Sequence, residues 1–266
     1  MSIKIKADGS IEPCDAPLKK IDSMVYALTA DVDVIYVDEL TPSYGIIVEK
    51  DNITIDGDGH TLEAREKWWG TGICLKGRKS VTIKNIIIRN FRFGIEVFDS
   101  SRIEILNNRV EYSEQYGIYL EHSSENTIIG NDVNHNAGYG IVLSSSTGNH
   151  VAENRLFGNG RAIALFDSSN NSIIGNEIES DIRDSVGVQL ERSSSNKVAE
   201  NNIMNCHNGV VLSDSSDNNE VSENRMKNSS SNIVIYYSTK NRILRNCFAN
   251  KKPWVEIFES EGNVIG

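Results

Sequence analysis

Several things are in short supply in this chain of 266 residues. Proline occurs four times, and no apolar run approaches the roughly 18 residues that would suggest a membrane span. Aromatics make up only 7% of the chain. Basic residues are outnumbered, 27 Lys and Arg against 37 Asp and Glu, which gives a formal charge of −10. A chain of that sign lacks the field that neutralises phosphates, which argues against a nucleic-acid partner. The four cysteines, Cys14, Cys74, Cys206 and Cys247, show no CxxC spacing, so reduced and inert thiols are expected. Met1-Ser2-Ile3-Lys4 opens no signal peptide: either the protein stays inside, or this is a mature segment without its leader.

Hydrophobic residues at 39% and charged residues at 24% are enough to bury a core and exclude a disordered polymer. Asn and Ser together fill 59 positions, far more than a globular core needs. Acidity is uneven. Residues 1–66 hold 14 Asp and Glu against 6 Lys and Arg, which is −8, and leaves −2 for the rest. That front, which includes Asp31, Asp33, Asp38 and Glu39, is expected to repel an acidic polymer unless a cation bridges them.

Most of the Asn falls into a repeat. Asn126-Thr127-Ile128-Ile129-Gly130-Asn131 sets a frame that returns at Asn149–Asn154, Asn171–Asn176, Asn196–Asn201, Asn219–Asn224 and Asn241–Asn246. The leading Asn recurs at intervals of 22 to 25 residues, ending at Asn263. A second column runs Gly94, Gly117, Gly140, Gly187 and Gly209, each followed by an aliphatic residue. The aliphatics alternate with polar residues at period two, the mark of strands buried on one face. Three short strands per repeat cannot build a domain alone, but coil stacked on coil can, with like strands pairing about 4.8 Å apart. The expected fold is all-β, a right-handed parallel β-helix of about ten coils. Residues 1–44 are read as an N-terminal segment and cap, with a short helical cap over Leu18 to Tyr26, and residues 45–266 as one continuous stack. Asn131, Asn154, Asn176, Asn201, Asn224 and Asn246 are assigned to a structural ladder at the corners, because amides can hydrogen-bond along a column. Asn263 to Gly266 stops partway through a repeat, so the natural chain continues or this end meets a partner copy.

Ala7-Asp8-Gly9-Ser10-Ile11-Glu12-Pro13, Tyr26-Ala27-Leu28-Thr29 and the run from Ile46 to Leu62 resemble the opening of archaeal NosD-like right-handed β-helix proteins. The repeats that follow resemble that group's as well. The resemblance implies a pectin-lyase-like fold and an exported or cell-surface protein that handles polysaccharide, or else a scaffold or accessory protein of a maturation system. It implies no reaction, because this fold hosts many functions. The chain lacks the Asn-Thr-Asp, Asp-Asp and Gly-His-Gly set of polygalacturonases and the Asp-Pro-His motif of alginate epimerases. Copper handling, associated with NosD proteins, needs clustered His, Met or Cys, which five scattered His and four Met do not supply.

Candidate chemistry sits on the outward columns of the Gly-Ile-x-Leu-x strand. The first runs Cys74, Glu96, Tyr119, Val142 and onward; the second runs Lys76, Phe98, Glu121, Ser144 and onward. Lys76, Glu96, Tyr119 and Glu121 are the candidate catalytic groups. Phe98 and the Trp68-Trp69 pair, in an insertion from Glu63 to Gly70, are the candidate ligand-binding groups. Glu96 and Glu121 should lie about 8 Å apart at their backbone origins, from one coil spacing and two residues along the strand. Inverting glycosidases separate their carboxyls by about 6.5–9.5 Å. Lys76 or Tyr119 would be the base of a lyase if its pKa were lowered. The competing reading of this face is an ordinary set of exposed cross-strand pairs. Asp56, Asp58 and His60 are candidate donors to Ca2+, against a plain Gly-rich turn. Asp181, Arg183 and Asp184, on a longer corner, are candidates to flank Glu191. No resident cofactor or metal is expected.

Overall fold

In a computed structural model, residues 2–35, 43–65, 69–249 and 254–266 are described. Among them every regular element is a β-strand, and the strands form three sheets of 12, 12 and 10 members. Each turn of the chain contributes one strand to each sheet in order, so like strands stack in parallel. Strand Tyr116–Glu121, for example, lies between Phe93–Phe98 and Tyr139–Ser144. The first sheet has strands of up to six residues and the other two mostly of three. The result is the parallel β-helix expected from the repeat.

The period-two pattern explains the core. On the first sheet Ile95, Ile118, Ile141 and Ile163 fall opposite one another, as do Val97, Leu120, Leu143 and Leu165, and all are fully buried. Strands of the other sheets point one aliphatic side chain inward: Ile105, Ile128, Val151 and Ile173 on the second, Val110, Val133, Leu156 and Ile178 on the third. The glycine column marks the tightest corner. A Cβ on Gly117 would sit 2.7 Å from the Gly140 carbonyl oxygen and 2.9 Å from a Val133 methyl.

Polar ladders lock the corners. The Asn131 amide nitrogen donates to the Ile105 carbonyl at 2.8 Å and to Asn154 Oδ1 at 2.9 Å, while the Asn131 backbone N–H donates to the same oxygen at 2.9 Å. This arrangement repeats through Asn154, Asn176, Asn201 and Asn224 to Asn246, and starts one coil earlier at Asn108. The leading Asn of each frame forms a second ladder, from Asn126 through Asn241. Ser100, Ser123, Ser146, Ser168 and Ser193 build a third by passing backbone N–H to hydroxyl. Most buried polar groups of these columns are thereby paired, as an interior closed to water demands.

The N-terminal residues differ from expectation in one respect. Leu18 to Tyr26 is a hairpin, not a helical cap: Leu18–Lys20 pairs antiparallel with Val25–Leu28. The Asp22 carboxylate accepts the N–H groups of Met24 and Val25 at 2.7 and 2.8 Å, which closes a tight turn in place of a helical one. Val25–Leu28 then pairs in parallel with Ile53–Asp56, Val32–Val34 with Thr61–Ala64, and Ile3–Ile5 with Tyr44–Val48. Residues 3–34 thus already supply one parallel strand to every sheet.

Candidate functional site

The outer face of the first sheet is where the long strands give the widest surface. Register puts Glu96 between Cys74 and Tyr119, and Phe98 between Lys76 and Glu121. Lys76, Glu96, Phe98, Tyr119 and Glu121 are therefore brought together, one coil or two residues apart. Trp69 lies just before strand Thr71–Lys76 and is exposed. Its turn is tied to the next coil, because the Arg92 and Phe93 N–H groups donate to the Gly70 carbonyl at 3.1 and 3.2 Å. Trp68 lies outside the described residues.

A third column breaks the strict alternation of the strand. The residue before each corner glycine also faces outward, and in three successive coils it is Phe93, Tyr116 and Tyr139. Their ring centroids are 5.5 and 5.4 Å apart. Tyr116 also meets Tyr119 at 4.9 Å, Tyr119 meets Phe98 at 5.8 Å, and Tyr139 meets Phe166 at 5.9 Å. These contacts join six rings into one aromatic strip. Guanidinium groups close its edges: Arg92 lies 5.2 Å from the Phe93 centroid and Arg161 5.4 Å from that of Tyr139. The strip covers the outward residues beneath it, so Val142 and Ala164 are buried although their strand positions point away from the core. The signal was present as aromatic-Gly-Ile at Phe93-Gly94-Ile95, Tyr116-Gly117-Ile118 and Tyr139-Gly140-Ile141.

The two carboxyls sit in different environments. Glu96 is only 8% exposed. Burial pushes its pKa above the ordinary carboxylate range, opposed by a hydrogen bond from the Thr71 hydroxyl and by nearby Arg92, with Glu121 adding to the rise. Glu121 is half-exposed. Burial likewise pushes the Tyr119 phenol up to about 12, with Ser144 drawing it down and Glu121 raising it further. A phenol at that value keeps its proton near neutrality, so it suits donation better than abstraction. The Cys74 thiol is held at about 11, first by burial and then by Glu96, which leaves it unreactive. Toward the N-terminal end the face runs into a groove of about 630 Å³, lined in part by Lys4, Tyr44, Glu49, Cys74, Lys76 and Arg78.

The other sequence candidates separate from this face. Asp56 is occupied by its own turn: its carboxylate accepts from the Asp58 N–H and the Asn85 amide at 3.0 Å and pairs with Lys84 at 3.0 Å. His60 faces Asp31 at 3.3 Å instead. Asp181, Arg183 and Asp184 do not flank Glu191. They share a cavity with Asn205 and His207 at the corner, whereas Glu191 lies at the far end of strand Val186–Glu191 and bonds Arg192. Among the described residues no three or more His, Cys, Asp or Glu are grouped to hold a metal ion. His122 follows a first-sheet strand, His150 lies on the second sheet, and His135 and His207 share the third-to-first corner but three coils apart, so this donor set does not fit copper.

A stacked parallel solenoid of three sheets, one of them bearing aromatics and carboxylates on its outer side, defines the class, that of parallel β-helix proteins. The chain belongs to the family described as right handed beta helix region, which matches residues 34–178. The NosD family, described as periplasmic copper-binding protein, matches residues 139–264, and the chain is a NosD-like member of the fold. Among solved structures it is similar to the DFA-IIIase of Arthrobacter chlorophenolicus A6 in complex with GF2, at 15% identity and a TM-score of 0.71, over 83% of this chain. It spans 66% of the length of that enzyme chain. It is also similar to an alginate lyase from Paenibacillus sp. str. FPU-7, at 11% identity and a TM-score of 0.67, over 82% of this chain and 91% of the other. At such identities the likeness shows the fold. A comparison with curated proteins returns no match. No helix among the described residues is long and apolar enough to cross a membrane.

Proposed function

We propose that this chain binds polysaccharide along the outer face of its first sheet, as an extracytoplasmic carbohydrate-binding or carbohydrate-processing β-helix protein. The observation that carries the reading is the joined strip of Phe93, Tyr116, Tyr139, Tyr119, Phe98 and Phe166. Sugar rings present apolar faces and hydroxyl edges; the strip takes the faces, while Glu96, Glu121 and Lys76 take the edges. Exposed Trp69 extends the binding surface at the insertion. Solved neighbours that include DFA-IIIase in complex with GF2 and an alginate lyase support a carbohydrate ligand, and the periplasmic description of the NosD family supports the location.

If the face is catalytic, its carboxyls divide the work by environment. Buried Glu96 keeps its proton longer and donates it to a leaving oxygen. The more solvated Glu121, about 8 Å away at the backbone, activates a water, the arrangement of an inverting glycoside hydrolase. The lyase variant, with Tyr119 or Lys76 as base, is disfavoured for Tyr119 by its raised pKa. Binding of neutral and acidic polysaccharides, followed by assays for new reducing ends and for unsaturated products, tests both levels. Silence across that panel, with Tyr116→Ala indistinguishable from the parent, refutes the reading.

One observation favours a second reading, an interaction scaffold that self-associates through its last coil: Ile257, Val264 and Ile265 there are 40%, 55% and 53% exposed. Sedimentation at increasing concentration, with Ile265→Asp as the control, decides it. A monomer at all concentrations removes it.

A further inference from the structure

The corner between the third and first sheets carries a second feature that the first-sheet face does not use. Each coil turns there through a residue of left-handed backbone, filled in four successive coils by Asn90, Tyr112, His135 and Gly158, with φ of 66°, 58°, 52° and 64°. Asn and Gly suit that conformation, and Tyr is costlier in it. Core packing does not repay the cost, because Tyr112 is 46% exposed and His135 is exposed as well. The two rings instead stack on each other, 5.5 Å apart with 20° between their planes, and His135 meets Phe157 edge-on at 5.1 Å.

Tyr112 and His135 line a cavity of about 430 Å³, together with Glu63, Arg89, Asn90 and Ser113. Its polar side is fixed. The Glu63 carboxylate accepts from Arg89 Nη2 at 2.7 Å and from Asn90 Nδ2 at 2.7 Å. The charges cancel locally: Arg89 against Glu63, and Arg109 against the buried Glu111 at 2.8 Å. An ionic ligand would therefore find no net partner charge, whereas a hydroxylated ring would find a flat apolar surface beside oriented donors and acceptors.

We propose that this corner is a separate binding site for a neutral hexose unit of a glycan, stacked on Tyr112 with its hydroxyls toward Arg89, Asn90 and Glu63. It does not depend on the first-sheet face. The test is saturation-transfer NMR on the full chain, with cellotriose, maltotriose and trigalacturonate as probes. Saturation is expected to pass from the Tyr112 and His135 rings to at least one neutral trisaccharide and not to trigalacturonate. Tyr112→Asn should weaken that binding about tenfold. This substitution installs the residue type already present at Asn90, so the fold is retained, and circular dichroism checks that it is. Tyr119→Ala reports on the first-sheet face and should leave the corner signal in place, so the two readings can fail separately. Equal affinity of the parent and Tyr112→Asn, absence of transfer to both neutral probes, or preference for trigalacturonate at these rings would each overturn the proposal.

Discussion

Asn176→Ala should be among the most costly single substitutions in the chain, and its cost can be worked from the ladder. Asn176 Oδ1 accepts the Asn154 N–H and the Asn154 amide, both at 3.0 Å. Its own amide donates to the Val151 carbonyl at 3.0 Å, the Ile174 carbonyl at 3.2 Å and Asn201 Oδ1 at 2.9 Å. After truncation the Asn154 side chain still holds the Ile128 carbonyl, and Asn201 Oδ1 still receives the Asn176 N–H. The Asn154 backbone N–H loses the acceptor described for it. One buried donor left unsatisfied costs about 1–3 kcal/mol, and the weakened carbonyls and small void add about 1–2 kcal/mol. A total near 3 kcal/mol is expected. Asn246 occupies the same column at the end of the ladder but is only half-buried, so water can replace the lost partners and Asn246→Ala should cost about 1 kcal/mol. Equilibrium urea unfolding of the parent and both variants measures the difference. Equal costs at the two positions would refute the idea that these amides stabilise the stack by satisfying a dry interior.

Three further outcomes are expected. Glu96 has a folded pKa raised by burial, so the fold binds its proton more tightly than the unfolded chain does. Stability should therefore fall as pH rises from the ordinary Glu value, about 4.3, through the raised folded value. Glu96→Gln should remove that slope and be the more stable form at neutral pH, as thermal unfolding across pH will show; an unchanged slope would exclude Glu96 as its source. Glu200 holds φ at 59° in a corner position that Gly130 and Gly175 fill in other coils. Glu200→Gly should raise stability by about 0.5 kcal/mol, whereas Glu177→Gly, on an extended and exposed strand position, should lower it by about as much. Tyr116→Ala should reduce polysaccharide affinity about tenfold in affinity electrophoresis, with little loss of stability because the ring is half-exposed.

Much of the fold was legible because the repeat states the register directly. Once Asn131, Asn154 and Asn176 are stacked, Glu96 must lie opposite Tyr119, and Phe98 opposite Glu121, as the pairing shows. The Phe93–Tyr116–Tyr139 column escaped because strict alternation puts a residue three before Tyr119 on the inner face. Alternation breaks at Gly117, where Gly117 and Ile118 are buried in succession, and Tyr116 is thereby out of phase and sits beside Tyr119. Leu18 to Tyr26 misled for a related reason. Its apolar spacing suits a helical turn, but the Asp22 carboxylate satisfies two backbone N–H groups locally and fixes a hairpin. The corner at Tyr112 was invisible for want of a period: its meaning comes from the ring of His135 one coil on and from Glu63 two coils back.

The acidic front reads differently once the coils are stacked. Asp51, Asp56 and Glu63 belong to it by sequence, yet each lies against a base from a later coil: Arg78 at 3.3 Å, Lys84 at 3.0 Å and Arg89 at 2.7 Å. Glu49 pairs with Lys4 at 3.3 Å. Such exposed pairs add little stability individually, but they cancel the local field. In the groove at the N-terminal end of the aromatic strip, Lys4 and Arg78 are thus balanced by Glu49 and Asp51, and Lys76 lies beside them. The formal charge of −10 is therefore not concentrated at this end of the proposed binding face, so the net charge alone does not exclude an acidic glycan there. What decides is where successive windings place Lys76 and Arg78, and that follows from the same stacking that aligns the asparagines.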